Sequence, residues 1–275
     1  MADISAADVK KLRDITGAGM MDCKKALAET GGDFDKAIEY IRKKGQAVAN
    51  KRAEREASEG VVLANVTEDS TRGVLIVLNS ETDFVAKNES FVEFAKAILD
   101  LALEKNPASL EELRELEMDG AKVSDKIMEQ VGIIGEKIEI SYFAKIEASQ
   151  VVPYIHPGNK LATLAGLNKK ADLQIGRDVA MQIAAMNPVA VNKEDIPQSI
   201  IDKEIEIGKE QARMEGKPEA IQEKIAMGKL NKFYQENTLL NQSFTKDPKK
   251  TVGEYLKEAD KELTVTGFVR HTLNK

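Results

Sequence analysis

The feature that most constrains this chain is an order of elements that occurs twice: two short apolar runs, then an amphipathic helix that stops at Asn-Pro. Residues 60–66 (GVVLANV) and 73–78 (GVLIVL) are rich in β-branched side chains and flank the polar segment TEDSTR, the pattern of paired strands. From about residue 90 to 105 the period becomes helical, with Phe91, Phe94, Ala95, Ile98, Leu99 and Ala102 on one face. Asn106-Pro107 ends that helix, because the residue before a proline is pushed out of helical geometry. The order returns with strand-like residues 137–147 and 160–167 and a helix over 172–186, which stops at Asn187-Pro188. Two strand–strand–helix units point to an internal duplication and an α+β core. Between them, residues 110–131 read as one helix, capped by Ser109 with Glu112 three residues on.

The flanks differ. Residues 1–43 read as three short helices. Ser5 and Asp8 form a capping box for the first, whose Val9, Leu12 and Ile15 share a face. Gly17-Ala18-Gly19 and Thr30-Gly31-Gly32 punctuate the series, and Asp33 caps the third helix ahead of Phe34, Ala37, Ile38 and Ile41. Residues 44–58 are charged and helix-prone without a wide apolar face, so they read as a solvated linker helix. Further on, Ile201, Ile205, Gly208 and Ala212, then Ile221, Ile225 and Gly228, form narrow stripes on either side of Gly216-Lys217-Pro218, the pattern of an antiparallel helical hairpin. A short helix over 252–259 and a closing strand, LTVTGFVR, follow. The expected division is 1–54 (three helices plus linker), 55–195 (core), 196–231 (hairpin insertion) and 232–275 (return to the core).

Charge and composition narrow the function. A net charge of −6 argues against a generic nucleic-acid binder, which needs a basic surface. No run approaches the ~18 apolar residues of a membrane span. The first residues lack the form of a signal peptide, and Cys23 stands alone, so a reducing cytoplasm is expected. With His156 and His271 the only histidines, a His/Cys zinc site is not expected, and neither is any cofactor.

One stretch resists a purely structural reading. In SETDFVAKNESF (residues 80–91), Phe84 sits in a polar loop between strand and helix, next to Asp83. Either Phe84 and Val85 fold back as a hydrophobic staple on the coming helix, or Asp83 and Phe84 form an exposed tip that enters a partner.

TGAGMMDCKKAL (residues 16–27) and TDFVAKNE (residues 82–89) resemble the two signature segments of the bacterial elongation factor Ts family. The IGE segment at 134–136, the YIHPG turn, the helical hairpin and VTGFVR fall in that family's order, so the resemblance covers nearly the whole chain. It implies a three-helix unit similar to a ubiquitin-associated domain, a duplicated strand–strand–helix core and a coiled-coil hairpin insertion. It also implies guanine-nucleotide exchange on elongation factor Tu, with no bond made or broken, and a partner site at Thr82, Asp83, Phe84 and Val85 that disturbs the partner's magnesium. Met20 and Lys24 match the signature that contacts the partner's GTP-binding domain. Ile134 and Gly135 match a contact near the nucleotide-binding domain, and His156 one with the third domain. A homodimer within a heterotetramer is one arrangement the resemblance allows; no direct nucleic-acid or membrane partner is expected.

Each of these residues also has a plain structural reading: a solvated Lys24, a core Met20, a packing turn at Gly135, a local hydrogen bond at His156. Two departures stand out. Thr245 and Lys246 replace an apolar pair that some members use against the partner, and the chain stops soon after VTGFVR, without the further C-terminal helix of other members. Two rival functions remain open to test. A non-exchanging ubiquitin-associated-type adaptor leaves TDFVAKNE unexplained, and a hydrolase using His156 and Asp83 lacks a nucleophile motif and a phosphate-cradling Gly-rich loop.

Overall fold

The computed structural model describes residues 4–274. At its start, α1 (Ala6–Thr16), α2 (Met20–Glu29) and α3 (Phe34–Arg52) close a small core of Val9, Leu12, Cys23, Ala26, Leu27 and Ala37. The Ser5–Asp8 capping box is present, and Gly17 ends α1 in the left-handed region at φ 67°. Ile15 is not part of that core; more than half of it is exposed.

The expected break between a third helix and a solvated linker is absent, since α3 runs unbroken to Arg52. Its second half docks on the rest of the molecule through Gly45, which meets Gly132 backbone to backbone. A Cβ on Gly132 would lie 2.7 Å from the Gly45 Cα, so only glycine permits this crossing. Val48 and Ala49 pack against the first core. The charged pattern hid this contact because a glycine seam carries no apolar signal.

Two three-stranded antiparallel sheets follow. The first comprises β1 (Glu59–Val66), β2 (Arg72–Ser80) and β5 (Glu139–Glu147), with β2 central. The second comprises β6 (Gln150–Ile155), β7 (Leu161–Leu167) and β10 (Val265–Thr272), with β7 central. The duplication is therefore differently divided from the sequence reading. Residues 139–147 close the first sheet instead of opening the second unit, and β6 opens the second. Pro153 disguises β6; it is tolerated there because β6 is an edge strand.

After β2 come the one-turn helix α4 (Asp83–Ala86) and α5 (Glu89–Lys105), whose Phe91, Ala95, Ile98, Leu99 and Ala102 are buried on the first sheet. Residues 110–131 are not one helix. The chain forms α6 (Leu110–Glu115), a hairpin of β3 (Glu117–Met118) and β4 (Ala121–Lys122), and α7 (Val123–Ile134). Asp119 and Gly120 break it, both at positive φ (51° and 76°).

On the second sheet lies α8 (Leu173–Met186), ended as expected by Asn187 in the left-handed region before Pro188. The hairpin is α9 (Gln198–Met214) and α10 (Glu219–Asn237), longer than the expected 196–231. At its seam Gly208 meets Ala226, and Ala212 and Leu230 are buried; Ile221 and Gly228 are exposed. The strands β8 (Ser243–Phe244) and β9 (Asp247–Thr251) and helix α11 (Val252–Ala259) lead into β10 and complete the second core.

Candidate functional site

The site grows from the end of β2. Ser80 is fully buried, and its hydroxyl donates to the Thr82 carbonyl at 2.9 Å. Thr82 caps α4, and its Oγ accepts from the Val85 N–H. The same hydroxyl donates to Glu136 Oε1 (2.7 Å), while the Thr82 N–H donates to Glu136 Oε2 (3.0 Å). Beside it, Glu81 accepts two contacts from Arg52 Nη1 (2.9 and 2.8 Å) and the Lys137 N–H at 2.6 Å. Burial pushes the Glu81 carboxyl up, but the bonds from Lys137 and Arg52 outweigh it and hold the group below the usual carboxylate range.

One helical turn on this anchored base divides its residues between two sides. Ala86 is buried and Val85 packs on the first core, whereas Phe84 is 83% exposed. Val85 thus takes the inward place of the staple and leaves Phe84 outside. Asp83 lies on the open side and accepts from Lys87 Nζ at 2.6 Å; that bond holds its carboxyl below the usual range.

Two neighbouring segments share this end of the sheet. Ile134, the last residue of α7, is half-buried against the first core, and Gly135 at φ 80° turns the chain so that Glu136 heads back to Thr82. The β6–β7 turn carries His156, exposed, with Nδ1 2.9 Å from the Tyr154 hydroxyl. Lys160 at the end of that turn pairs with Glu59, and Asn159 accepts from the Val62 N–H at 2.7 Å, so the turn is pinned to β1. Met20 (44% exposed) and Lys24 lie one turn apart on the outer side of α2, which excludes a core role for Met20. Among the described residues no hydrogen bond or ion pair joins either to the tip. Thr245 and Lys246 are exposed but tied to their own chain: the Thr245 N–H donates to Gln182, and Lys246 donates to buried Asp178 at 2.6 Å.

Sequence reading missed Glu81, Glu136 and Arg52. Glu136 stood in the quoted IGE segment, yet nothing local ties it to Thr82, 54 residues away. Among the described residues no group of three His, Cys, Asp or Glu side chains could hold a metal ion, and no helix is long and apolar enough to cross a membrane. A rigid base with a lone outward aromatic can do one thing well, which is to insert into a pocket on another surface.

The arrangement, an exposed aromatic on a braced loop, is a candidate protein-docking site. A sequence model described as "Elongation factor TS" matches residues 81–275. The chain is similar to elongation factor Ts of Christiangramia forsetii (54% identical, covering 99% of this chain and 100% of the relative) and of Flavobacterium psychrophilum (54%, with the same coverage). Elongation factor Ts of Prosthecochloris aestuarii is 48% identical over 99% of each chain. The chain belongs to the elongation factor Ts family, and with it to the exchange factors of protein synthesis.

Proposed function

We propose that this chain promotes GDP release from elongation factor Tu by lodging Phe84 beside the partner's magnesium and phosphate site, without making or breaking a bond. The observation that carries the reading is Phe84 itself, 83% exposed on a turn whose base is hydrogen-bonded on both sides. Magnesium demands near-ideal octahedral oxygen geometry and bridges protein to phosphate, so a small displacement of its ligands weakens nucleotide binding. Linkage requires the converse: nucleotide weakens factor binding by the same factor, and incoming GTP ejects the factor. Asp83 would hold the tip in register through the acceptor positions that Lys87 leaves open, and Thr82 and Val85 would seat it. Met20 and Lys24 on α2, Ile134 and Gly135 at the end of α7, and His156 at the β6–β7 turn are the further contacts in this reading.

The three-helix unit is read as ubiquitin-associated-like, the α9–α10 hairpin as a coiled coil, and the cytoplasm as the place of action. Stoichiometry separates a one-to-one complex from a factor dimer holding two partners, and a mass measurement of the complex decides it. The decisive experiment is release of labelled GDP from purified elongation factor Tu, with and without this protein. An unchanged release rate at saturating factor overturns the proposal.

A further inference from the structure

We propose that Glu81 and Glu136 are positioning residues for the Asp83–Phe84 tip, a crossed pair of carboxylates that fixes how far and at what angle the ring projects. The inference rests on the exchange reading of Phe84. Each glutamate binds the N–H of the residue that follows the other: Glu81 accepts from Lys137 N (2.6 Å), and Glu136 accepts from Thr82 N (3.0 Å). Each carboxylate takes a further donor. Glu136 takes the Thr82 hydroxyl at 2.7 Å, and Glu81 takes Arg52 from the end of α3. Residues 81–82 and 136–137 are thus tied reciprocally, by charge-assisted bonds of the stronger kind.

The sheet does not need this clamp. The β2–β5 ladder pairs Arg72–Glu147 through Asn79–Glu139 with one register shift between Val77 and Leu78, and the crossed bonds lie beyond its last pair. What lies on the far side of the clamp from the sheet is the tip. Gly135 serves the same end. A Cβ there would meet nothing within 4 Å, so the glycine is needed for its φ of 80° and not for space. That conformation stops α7 and points the chain back toward Thr82. Glu81, with only 12% of its side chain exposed, is a charge whose burial must be offset by its partners.

The test is stimulated GDP release measured against factor concentration, giving a maximal rate and a half-saturating concentration for each variant, beside thermal unfolding of the factor alone. Glu136→Ala is expected to lower the maximal rate about tenfold, since a misplaced group costs up to about 10²-fold, with half-saturation changed less than about twofold. Glu136→Gln keeps one acceptor and should lose about threefold. The double variant Phe84→Ala/Glu136→Ala should be no slower than Phe84→Ala, because a positioning residue has nothing left to position.

A folded Glu136→Ala at the wild-type maximal rate overturns the inference, and so does a double variant in which the two losses multiply. Should Glu136→Ala fail to fold, Glu136→Gln carries the same two outcomes. Phe84→Ala at the wild-type rate instead defeats the exchange reading of the tip itself. A slow Phe84→Ala beside an unimpaired Glu136→Ala defeats only the clamp.

Discussion

The two sheets share one strand order, with an edge strand, a central strand and a closing strand, and they differ at the junction between central strand and helix. In the second unit that junction is residues 168–172, Asn-Lys-Lys-Ala-Asp, and it is latched to its own chain. Asn168 Nδ2 donates to the Glu262 carbonyl at 2.8 Å and its Oδ1 accepts from Thr264 N at 2.9 Å, while Lys169 reaches Asp260 and Glu262 at 3.0 Å. In the first unit the junction is residues 81–88; its ties are concentrated at Glu81 and Thr82, and Phe84 stands clear. The same frame closes without an exposed aromatic in one case and with one in the other. An outward Phe is therefore not a demand of the fold, and this supports the proposal that Phe84 meets a partner.

The sharpest break of this comparison uses two phenylalanines seven residues apart. Phe91 is 1% exposed in the first core, so Phe91→Ala should cost about 3–5 kcal/mol in unfolding. Phe84→Ala should change stability by no more than ~0.5 kcal/mol. In stimulated GDP release the order reverses: Phe84→Ala should lose about 30-fold, the scale of a hot-spot aromatic. The folded fraction of Phe91→Ala should exchange normally. A Phe84→Ala protein that melts early yet exchanges at full rate would return Phe84 to the core.

The second unit supplies the next contrast, a buried carboxylate with three hydrogen-bond donors from its own chain. Asp178 accepts from Lys246 (2.6 Å), Tyr255 (2.8 Å) and Gln174 (2.7 Å), and Tyr255 stacks on Phe244 at 4.2 Å. Asp178→Ala should cost about 2 kcal/mol by leaving charged hydrogen bonds unmade, and exchange should be unaffected. Burial pushes the Asp178 carboxyl up, but its three donors outweigh that and hold it below the usual range. A depressed folded pKa means the contribution is full above the unfolded carboxylate value and is lost as pH falls through the folded one. The stability gap between wild type and Asp178→Ala should therefore narrow below about pH 4. A gap that widens on acidification would contradict this assignment.

Local chemistry made much of this legible. The Ser5 box, the Asn106-Pro107 and Asn187-Pro188 helix ends, strands β1 and β2, and the hairpin turn at Gly216 all follow from neighbouring residues. What stayed hidden depends on distant pairing. Arg52 and Glu81 meet across 29 residues, and a charged segment viewed alone reads as solvated. The Gly45–Gly132 crossing is silent because glycine looks like a helix defect until its opposite number is known. The Asp119-Gly120 turn was readable in principle, since both residue types favour positive φ, but it was overridden by helical neighbours. Phe84 stands out in the sequence because it breaks a local rule; Glu136 breaks none.

Lys24 sharpens the comparison by asking whether a different surface acts in a different way. It lies on the outer side of α2 near Met20 and Met21, remote in sequence from the braced tip. An exposed charge steers encounter more than it holds a complex. Lys24→Glu should therefore slow association about fivefold at low salt, with the maximal exchange rate and dissociation nearly unchanged. Added salt should mask most of the loss, because exposed charges are screened beyond about 10 Å at ~0.1 M. An association rate that is unchanged at low salt would leave Lys24 as solvated surface.

The smallest expected effect separates the two exposed residues of the tip. Asp83 is paired with Lys87 at 2.6 Å on the open side of α4, and exposed pairs of this spacing contribute little to folding. Asp83→Asn keeps an acceptor oxygen and should lower stimulated GDP release only about twofold if the acceptor, and not the charge, is what registers the tip. Because the Lys87 bond holds the Asp83 carboxyl below the usual range, the wild-type side chain stays ionised throughout pH 5–8. The ratio of wild-type to variant rates should then be flat across that window. A loss as large as that of Phe84→Ala would make the carboxylate, and not the ring, the working part of the tip. A ratio that changes between pH 5 and 8 would mean that the asparagine alters the titration of a group on the partner, and Asp83 would then act on the nucleotide site through its charge.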